Sequence, residues 1–249
     1  TPRAASEART HRCPLAELRF SRSRAHVIER VRPQLVGIAA MHALETDEVI
    51  QLAQQVRRLS PDVPSVVGGH TAAAYPEPFL CSEVAAVVLD DGERALPLIC
   101  EAIERGAPLD SVPGLALPDR DRGVVRTAGE KGTLALDEVP LPARHHVAPW
   151  RKQYACLAHR PAWLIETARG CPFRCSFCSI WQLHARSVRE RSVDAVCRAF
   201  ASVGGHVFVA DDLSCHIPPP SPHLSRCLLP RGARDDWTLG QGCAGSARG

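Results

Sequence analysis

Between Pro33 and Arg105 short apolar runs alternate with helix-length segments, and that rhythm narrows the possible folds more than any other feature. Leu35-Val36-Gly37-Ile38-Ala39-Ala40 is the kind of unbroken apolar run that a parallel sheet buries on both faces. Thr46 and Asp47 then offer an N-cap for a helix to about Leu59, with Val49, Ile50, Ala53 and Val56 at helical spacing. Ser60-Pro61-Asp62 ends that helix, and Val63–Val67 is a second strand, stopped by Gly68-Gly69-His70. Ala85–Leu89 is a third strand, closing in Asp90-Asp91-Gly92-Glu93 before a helix over Arg94–Arg105, with Gly106 as its C′ residue. The rhythm predicts an α/β, doubly wound, Rossmann-like domain with its ligand site at the carboxyl ends of the strands. His42, Gly68, Gly69, His70, Gly92 and Glu93 gather at those ends. Strand ends also turn, and turns favour Gly and Asp, so the pattern alone leaves a ligand site and a plain set of turns equally open.

Residues 106–150 are rich in Pro, Gly and charge, with a hairpin expected around Leu115–Val125. Leu136-Asp137-Glu138-Val139-Pro140-Leu141-Pro142 reads as an extended connection, because each Pro disfavours helix before it. The expected organisation is a first domain over 1–135, a linker over 136–161, and a second unit over 162–213. That unit begins with a strand, Ala162–Thr167, feeding a cysteine-rich loop. A helix over Ser192–Val203 and a strand over His206–Ala210 follow. From 214 to 249 the chain is irregular, beginning with Pro218-Pro219-Pro220-Ser221-Pro222, and offers no packable face. This stretch reads as a disordered tail or as a departure from the native sequence.

Composition removes several classes. A net charge of +3, without a dense Lys/Arg stripe, gives no argument for nucleic acid. No apolar run reaches membrane-spanning length, and Thr1 to Arg12 lack the apolar core of a secretory signal. Position 1 is not Met and the only Met is Met41, which reads as a fragment whose natural start lies upstream. Eleven cysteines in a chain of 249 residues fit a reduced, cytoplasmic protein with a metal or cluster site better than a disulfide scaffold.

The cysteines with a pattern are Cys171, Cys175 and Cys178, in Arg169-Gly170-Cys171-Pro172-Phe173-Arg174-Cys175-Ser176-Phe177-Cys178. Cys-x3-Cys-x2-Cys on one loop lets three thiolates wrap three corners of a cubic cluster. Iron–sulfur clusters are normally held by four cysteines, so a missing fourth leaves one iron open to substrate. A zinc site completed by His184 is the main alternative. A ferredoxin-like carrier would need a better-placed fourth cysteine than Cys197, and disulfides or plain buried thiols are the remaining readings.

The motif, with aromatic Phe177 before the third cysteine, resembles the signature of the radical S-adenosylmethionine (radical-SAM) superfamily. Glu166-Thr167-Ala168-Arg169-Gly170-Cys171-Pro172 is similar to the form in its cobalamin-dependent branch. That resemblance implies a [4Fe–4S] cluster whose open iron is chelated by SAM. One electron from an external reductant would then split the sulfonium into a 5′-deoxyadenosyl radical that abstracts hydrogen from an unactivated carbon. It also implies a place for Phe177 near the SAM adenine and for Asp211 or Asp212 near the SAM amine.

Arg32–Ile38, Pro61–Pro64, Val66–His70 and Asp91-Gly92-Glu93 are similar to the cobalamin-binding domain of the same branch, and Leu136–Pro140 to its link into a partial barrel. Gly68, Gly69, His70, Gly92 and Glu93 would then face cobalamin. The first strand of that domain is missing, and no Asp-x-His-x-x-Gly motif is present, so neither His42 nor His70 is assigned as lower cobalt ligand. Glu166–His184 and His206–Leu213 look closest to the hopanoid C-3 methylase group. The resemblance implies a cobalamin domain followed by the beginning of a radical-SAM (β/α) barrel, too short to complete it, and methyl transfer to a lipid such as a hopanoid. A small-molecule substrate, a ring-closing or rearranging enzyme of the same branch, and a non-catalytic zinc or cluster module are the alternatives. The expected location is cytoplasmic, with peripheral membrane association left open.

Overall fold

The computed structural model describes residues 13–17, 24–119, 121, 123–129, 132–156, 159–213 and 237–238. The polar start at 1–12 and the irregular tail, apart from two residues, lie outside them. The chain divides into two compact units, residues 1–133 and 134–249.

In the first unit a helix α1 (Arg24–Val31) leads into β1 (Val36–Ala39), α2 (Thr46–Leu59), β2 (Ser65–Gly68), α3 (His70–Ala74), β3 (Ala86–Val88) and α4 (Gly92–Glu104). A hairpin of β4 (Leu115–Asp119) and β5 (Gly123–Arg126) closes the unit. The sheet runs in the order β1-β2-β3-β4-β5, parallel through β3 and antiparallel beyond it. Alternate residues of the short strands enter opposite faces. Ile38, Val67 and Val87 pack with Val49 and Ala53 of α2, whereas Val66, Ala86 and Val88 pack with Ala95, Ile99 and Ala102 of α4. Both faces are therefore covered, which explains why the strands read as continuous apolar runs. In α2, Asp47 and Glu48 lie in the first turn and Arg57 and Arg58 in the last, complementing the helix dipole at each end.

The second unit holds β6 (Ala162–Ile165), β7 (Ala168–Arg169), α5 (Ile180–Leu183), β8 (Arg189–Glu190), α6 (Val193–Ala201), β9 (His206–Val209) and the two-residue β10 (Trp237–Thr238). β6, β9 and β10 form a parallel sheet with β9 central, and β7 pairs antiparallel with β8. Ile165, Val207 and Ala199 of α6 make its core, with Trp163, Phe200 and Leu141 against them. Ser192 caps α6 by accepting from the Ala195 amide at 3.3 Å.

The stretch read as a linker packs within this second unit. Leu136 and Val139 are buried. Arg191 donates to the carbonyls of Leu136 (2.6 Å) and Val139 (3.2 Å), and the Ser192 amide donates to the Asp137 carboxylate at 3.0 Å. Among the described residues no helix is long and apolar enough to cross a membrane.

Candidate cluster loop and cobalamin face

The cysteine loop leaves the sheet at the carboxyl end of β6 and is held by the carboxyl end of β9. The Ala210 amide donates to the Ile165 carbonyl at 2.8 Å, extending the β6–β9 pairing by one residue. Asp211 then turns inward. Its Oδ1 accepts from the amides of Thr167 (2.7 Å) and Ala168 (3.1 Å), and its Oδ2 accepts from the Thr167 hydroxyl. Burial pushes the Asp211 carboxyl above its ordinary range, although the three donors from Thr167 and Ala168 oppose that shift. Asp212 takes the next position along the loop, its Oδ2 accepting from the Gly170 amide at 2.8 Å.

Gly170 sits at the mouth of the cysteine loop with φ +99°. A Cβ built there would lie 2.1 Å from the Ser187 carbonyl oxygen and 3.2 Å from His184 Cβ. Only glycine lets the chain pass this point. Beyond it Cys171, Cys175 and Cys178 are partly buried free thiols. Cys178 N–H donates to the Cys175 carbonyl at 3.2 Å, turning the loop back, and the Trp181 indole N–H donates to the same carbonyl at 3.2 Å. Burial pushes the Cys171 thiol up first, and the charges of Cys178, Cys175 and Asp212 add to that. The three sulfurs therefore share one electrostatic neighbourhood. Among the described residues no three His, Cys, Asp or Glu side chains converge as they would on a single metal ion. Thiolates at three corners of a cube stand further apart than ligands of one ion, and an all-thiol donor set is what an iron–sulfur cluster takes. The residues present fit such a cluster.

His184, the fourth ligand of the zinc alternative, is occupied elsewhere. It is buried, its Nδ1 lies 3.0 Å from an Arg189 amine, and its Nε2 lies 3.5 Å from Asp212 Oδ2. Phe177, expected near the SAM adenine, is 77% exposed, and Phe173 is also exposed. Sequence reading missed the brace under this loop: Glu166 and Arg169 form a two-pronged ion pair (2.7 and 3.0 Å), and the Arg191 amide donates to the Thr167 carbonyl at 2.8 Å.

In the first unit, β2 and β3 are parallel neighbours, so their carboxyl ends place Gly68-Gly69-His70 and Gly92-Glu93 along one sheet edge. Gly92 opens α4 with Glu93 in its first turn, and His70 opens α3. Gly69 has φ +119°, and an added Cβ would meet the Ala40 carbonyl oxygen at 2.6 Å and Met41 Sδ at 2.9 Å. The backbones beyond β1 and β2 thus approach closely at this edge. His42 and His70 are exposed there. Three large apolar side chains not singled out from the sequence are also exposed: Met41 and Leu44 (97% exposed) in the segment after β1, and Tyr75 just after α3. Large exposed apolar groups are the informative feature of a protein surface.

Comparison with known proteins agrees with this geometry. No protein-family model matches the chain. It is 31% identical over 216 residues to a hopanoid C-3 methylase from Methylococcus capsulatus, covering 84% of this chain and 40% of the methylase. It is 27% identical over 198 residues to a cytidylyl-2-hydroxyethylphosphonate methyltransferase from Streptomyces wedmorensis, covering 68% of this chain and 37% of that enzyme. Among solved structures it superposes with a TM-score of 0.67 on the radical S-adenosylmethionine methyltransferase TsrM from Kitasatospora setae, with cobalamin and a [4Fe–4S] cluster bound. That match is 20% identical and covers 90% of this chain and 46% of TsrM. The fold is that of the cobalamin-dependent radical-SAM enzymes. The resemblance read from the cysteine motif thus extends across most of the chain. The chain spans less than half the length of these relatives.

Proposed function

We propose that this chain carries the cobalamin domain and the cluster loop of a radical-SAM methyltransferase that methylates an unactivated carbon. The observation that carries the reading is the loop itself: three free thiols within eight residues, set at the carboxyl ends of β6 and β9 by Asp211 and Asp212. Cys171, Cys175 and Cys178 would hold a [4Fe–4S] cluster and leave one iron for SAM. When bound, the cluster supplies the electron that generates a carbon radical from SAM, and cobalamin carries the methyl group.

The protein's own part is to orient and to exclude. Phe177 is available to stack on the SAM adenine. Both oxygens of Asp211 are taken by Thr167 and Ala168, so its role in SAM binding is to hold the loop. Asp212 uses Oδ2 on Gly170, which leaves Oδ1 for the SAM amine. At the other site Gly68, Gly69, His70, Gly92 and Glu93 would line cobalamin. Met41, Leu44 and Tyr75 would supply apolar cover for the flat corrin ring.

The likeness to the hopanoid methylase supports a polycyclic lipid as the substrate class, and an external one-electron reductant completes the cycle. A lipid substrate would be met at a membrane surface, which fits a peripheral location.

Anaerobic iron–sulfur reconstitution, followed by EPR of the reduced protein with and without SAM, tests the reading. The expected result is a [4Fe–4S]⁺ signal that shifts with SAM and is abolished in Cys175→Ala. Zinc bound at one per chain with no iron taken up would overturn it.

A further inference from the structure

We propose that Asp212, braced by His184 and Arg189, is a positioning residue that fixes the first cysteine of the loop and, through its charge, holds the cluster's reduction potential low. The inference rests on the cluster reading above and adds to it a residue set that the motif does not contain. Its geometry is a relay of buried or half-buried polar groups. The Gly170 amide, one residue before Cys171, donates to Asp212 Oδ2 at 2.8 Å. The His184 Nε2 stands 3.5 Å from the same oxygen, and both side chains are nearly closed to solvent, 8% and 15% exposed. Arg189 holds the far side of the ring, one amine 3.0 Å from Nδ1 and another donating to the Leu134 carbonyl at 2.9 Å.

That arrangement fixes the tautomer. A guanidinium only donates, so Nδ1 must accept, and the ring proton sits on Nε2 and faces Asp212. A carboxylate held by a backbone N–H at 2.8 Å, with the imidazole edge 3.5 Å from the same oxygen, is oriented, and it orients Gly170 in return. The Gly170 φ of +99° and the 2.1 Å that an added Cβ would leave to the Ser187 carbonyl oxygen show that the chain has no slack here. A shift of the Asp212 carboxylate is therefore passed to Cys171.

The charge argument is separate. Asp212 Oδ2 is one hydrogen bond, 2.8 Å, from the residue next to Cys171, so its charge stands beside the first cysteine of the loop. The field of that charge opposes an added electron on a cluster bound there, because cluster potentials follow net local charge. Removing the charge while keeping the shape should make reduction easier.

The test uses the reconstituted full chain without SAM, so that any effect on SAM binding stays out of the measurement. Asp212→Asn can still accept from Gly170. It should take up as much iron as the parent, with a midpoint potential raised by about 59 mV, a tenfold change in a one-electron equilibrium. An unchanged potential at parental iron content would refute the charge role. Should Asp212→Asn fail to take up iron, Asp212→Glu, which keeps the charge, must restore the cluster, and failure there too sinks the proposal.

The brace is tested on the metal-free chain by alkylation of Cys171, located by mass spectrometry. His184→Leu should raise the Cys171 rate at least threefold, and His184→Gln, which keeps a donor and an acceptor, should restore most of the protection. Equal rates in all three proteins would show that His184 holds nothing. If the parent itself takes up no cluster, the functional reading fails. If it does and the variants behave as the parent, only this inference fails.

Discussion

Gly170→Ala is the sharpest perturbation the second unit offers. The new methyl would sit 2.1 Å from the Ser187 carbonyl oxygen, well inside contact distance and against backbone rather than a pliable side-chain tip. The substitution also forces an L-residue to φ +99°. Backbone strain of that kind costs about 1–3 kcal/mol, and overpacking of a closed site costs about 1–3 kcal/mol more. The sum, about 2–6 kcal/mol, is a large part of the total stability of an ordinary domain. All four tryptophans, Trp150, Trp163, Trp181 and Trp237, lie in the second unit, so tryptophan fluorescence in urea reports its unfolding separately. The expected result is a midpoint shifted down by that amount, with the cysteine loop also alkylated faster. Gly204→Ala is the control in the same unit: its Cβ meets nothing within 4 Å and its φ is ordinary, so it should change the unfolding free energy by less than about 1 kcal/mol. A Gly170→Ala protein that melts with the parent would refute the claim that the loop has no slack at this residue.

Four further outcomes follow from particular contacts. Asp211→Ala leaves the buried Thr167 and Ala168 amides without their acceptor and should cost about 1–3 kcal/mol in the same urea assay. Because burial raises the Asp211 carboxyl, the folded state holds that proton more tightly than the unfolded chain. Its contribution is complete below the unfolded value, about 3.9, and is lost as pH rises through the folded value; Asp211→Asn should flatten that slope in a stability–pH series. Leu136→Ala, at a residue 1% exposed, should destabilise by about 2–5 kcal/mol, whereas a free linker residue would change nothing. Gly69→Ala should lower the thermal stability of the first unit and weaken cobalamin uptake, measured by the absorbance of the bound corrin, because its Cβ would strike the Ala40 carbonyl at 2.6 Å.

What could be read in advance was local. The helix over Thr46–Leu59 stands where its 3.6-residue spacing put it, although Glu45 rather than Thr46 or Asp47 takes the N-cap position, and β6 and β9 lie within the runs Ala162–Thr167 and His206–Ala210. The helix after β3 begins at Gly92 rather than Arg94, because Asp91 rather than the whole Asp-Gly-Glu turn marks its start. α3 went unseen because five residues carry too little periodicity to register. The end of α5 carried no signal either: Ala185 and Arg186 take positive φ, at 50° and 60°, where a glycine would have announced the turn.

The site divides along the same line. Three cysteines within eight residues are brought together by chain connectivity, so their spacing alone revealed them. The groups that hold the loop in place are brought together by the sheet. Asp211 and Asp212 were noticed as carboxylates at a strand end, but their partners Thr167 and Gly170 lie more than forty residues back, and only the pairing of β9 with β6 joins them. His184 shows the cost of reading such a residue by type. Six positions after Cys178, it looked like a fourth metal ligand, yet the turn after α5 delivers it to the back of the loop, between Arg189 and Asp212. A spacing argument can nominate the thiols that would bind a cluster. Which atoms keep the binders still is decided by long-range pairing, and in this chain those atoms are two adjacent aspartates at the end of β9.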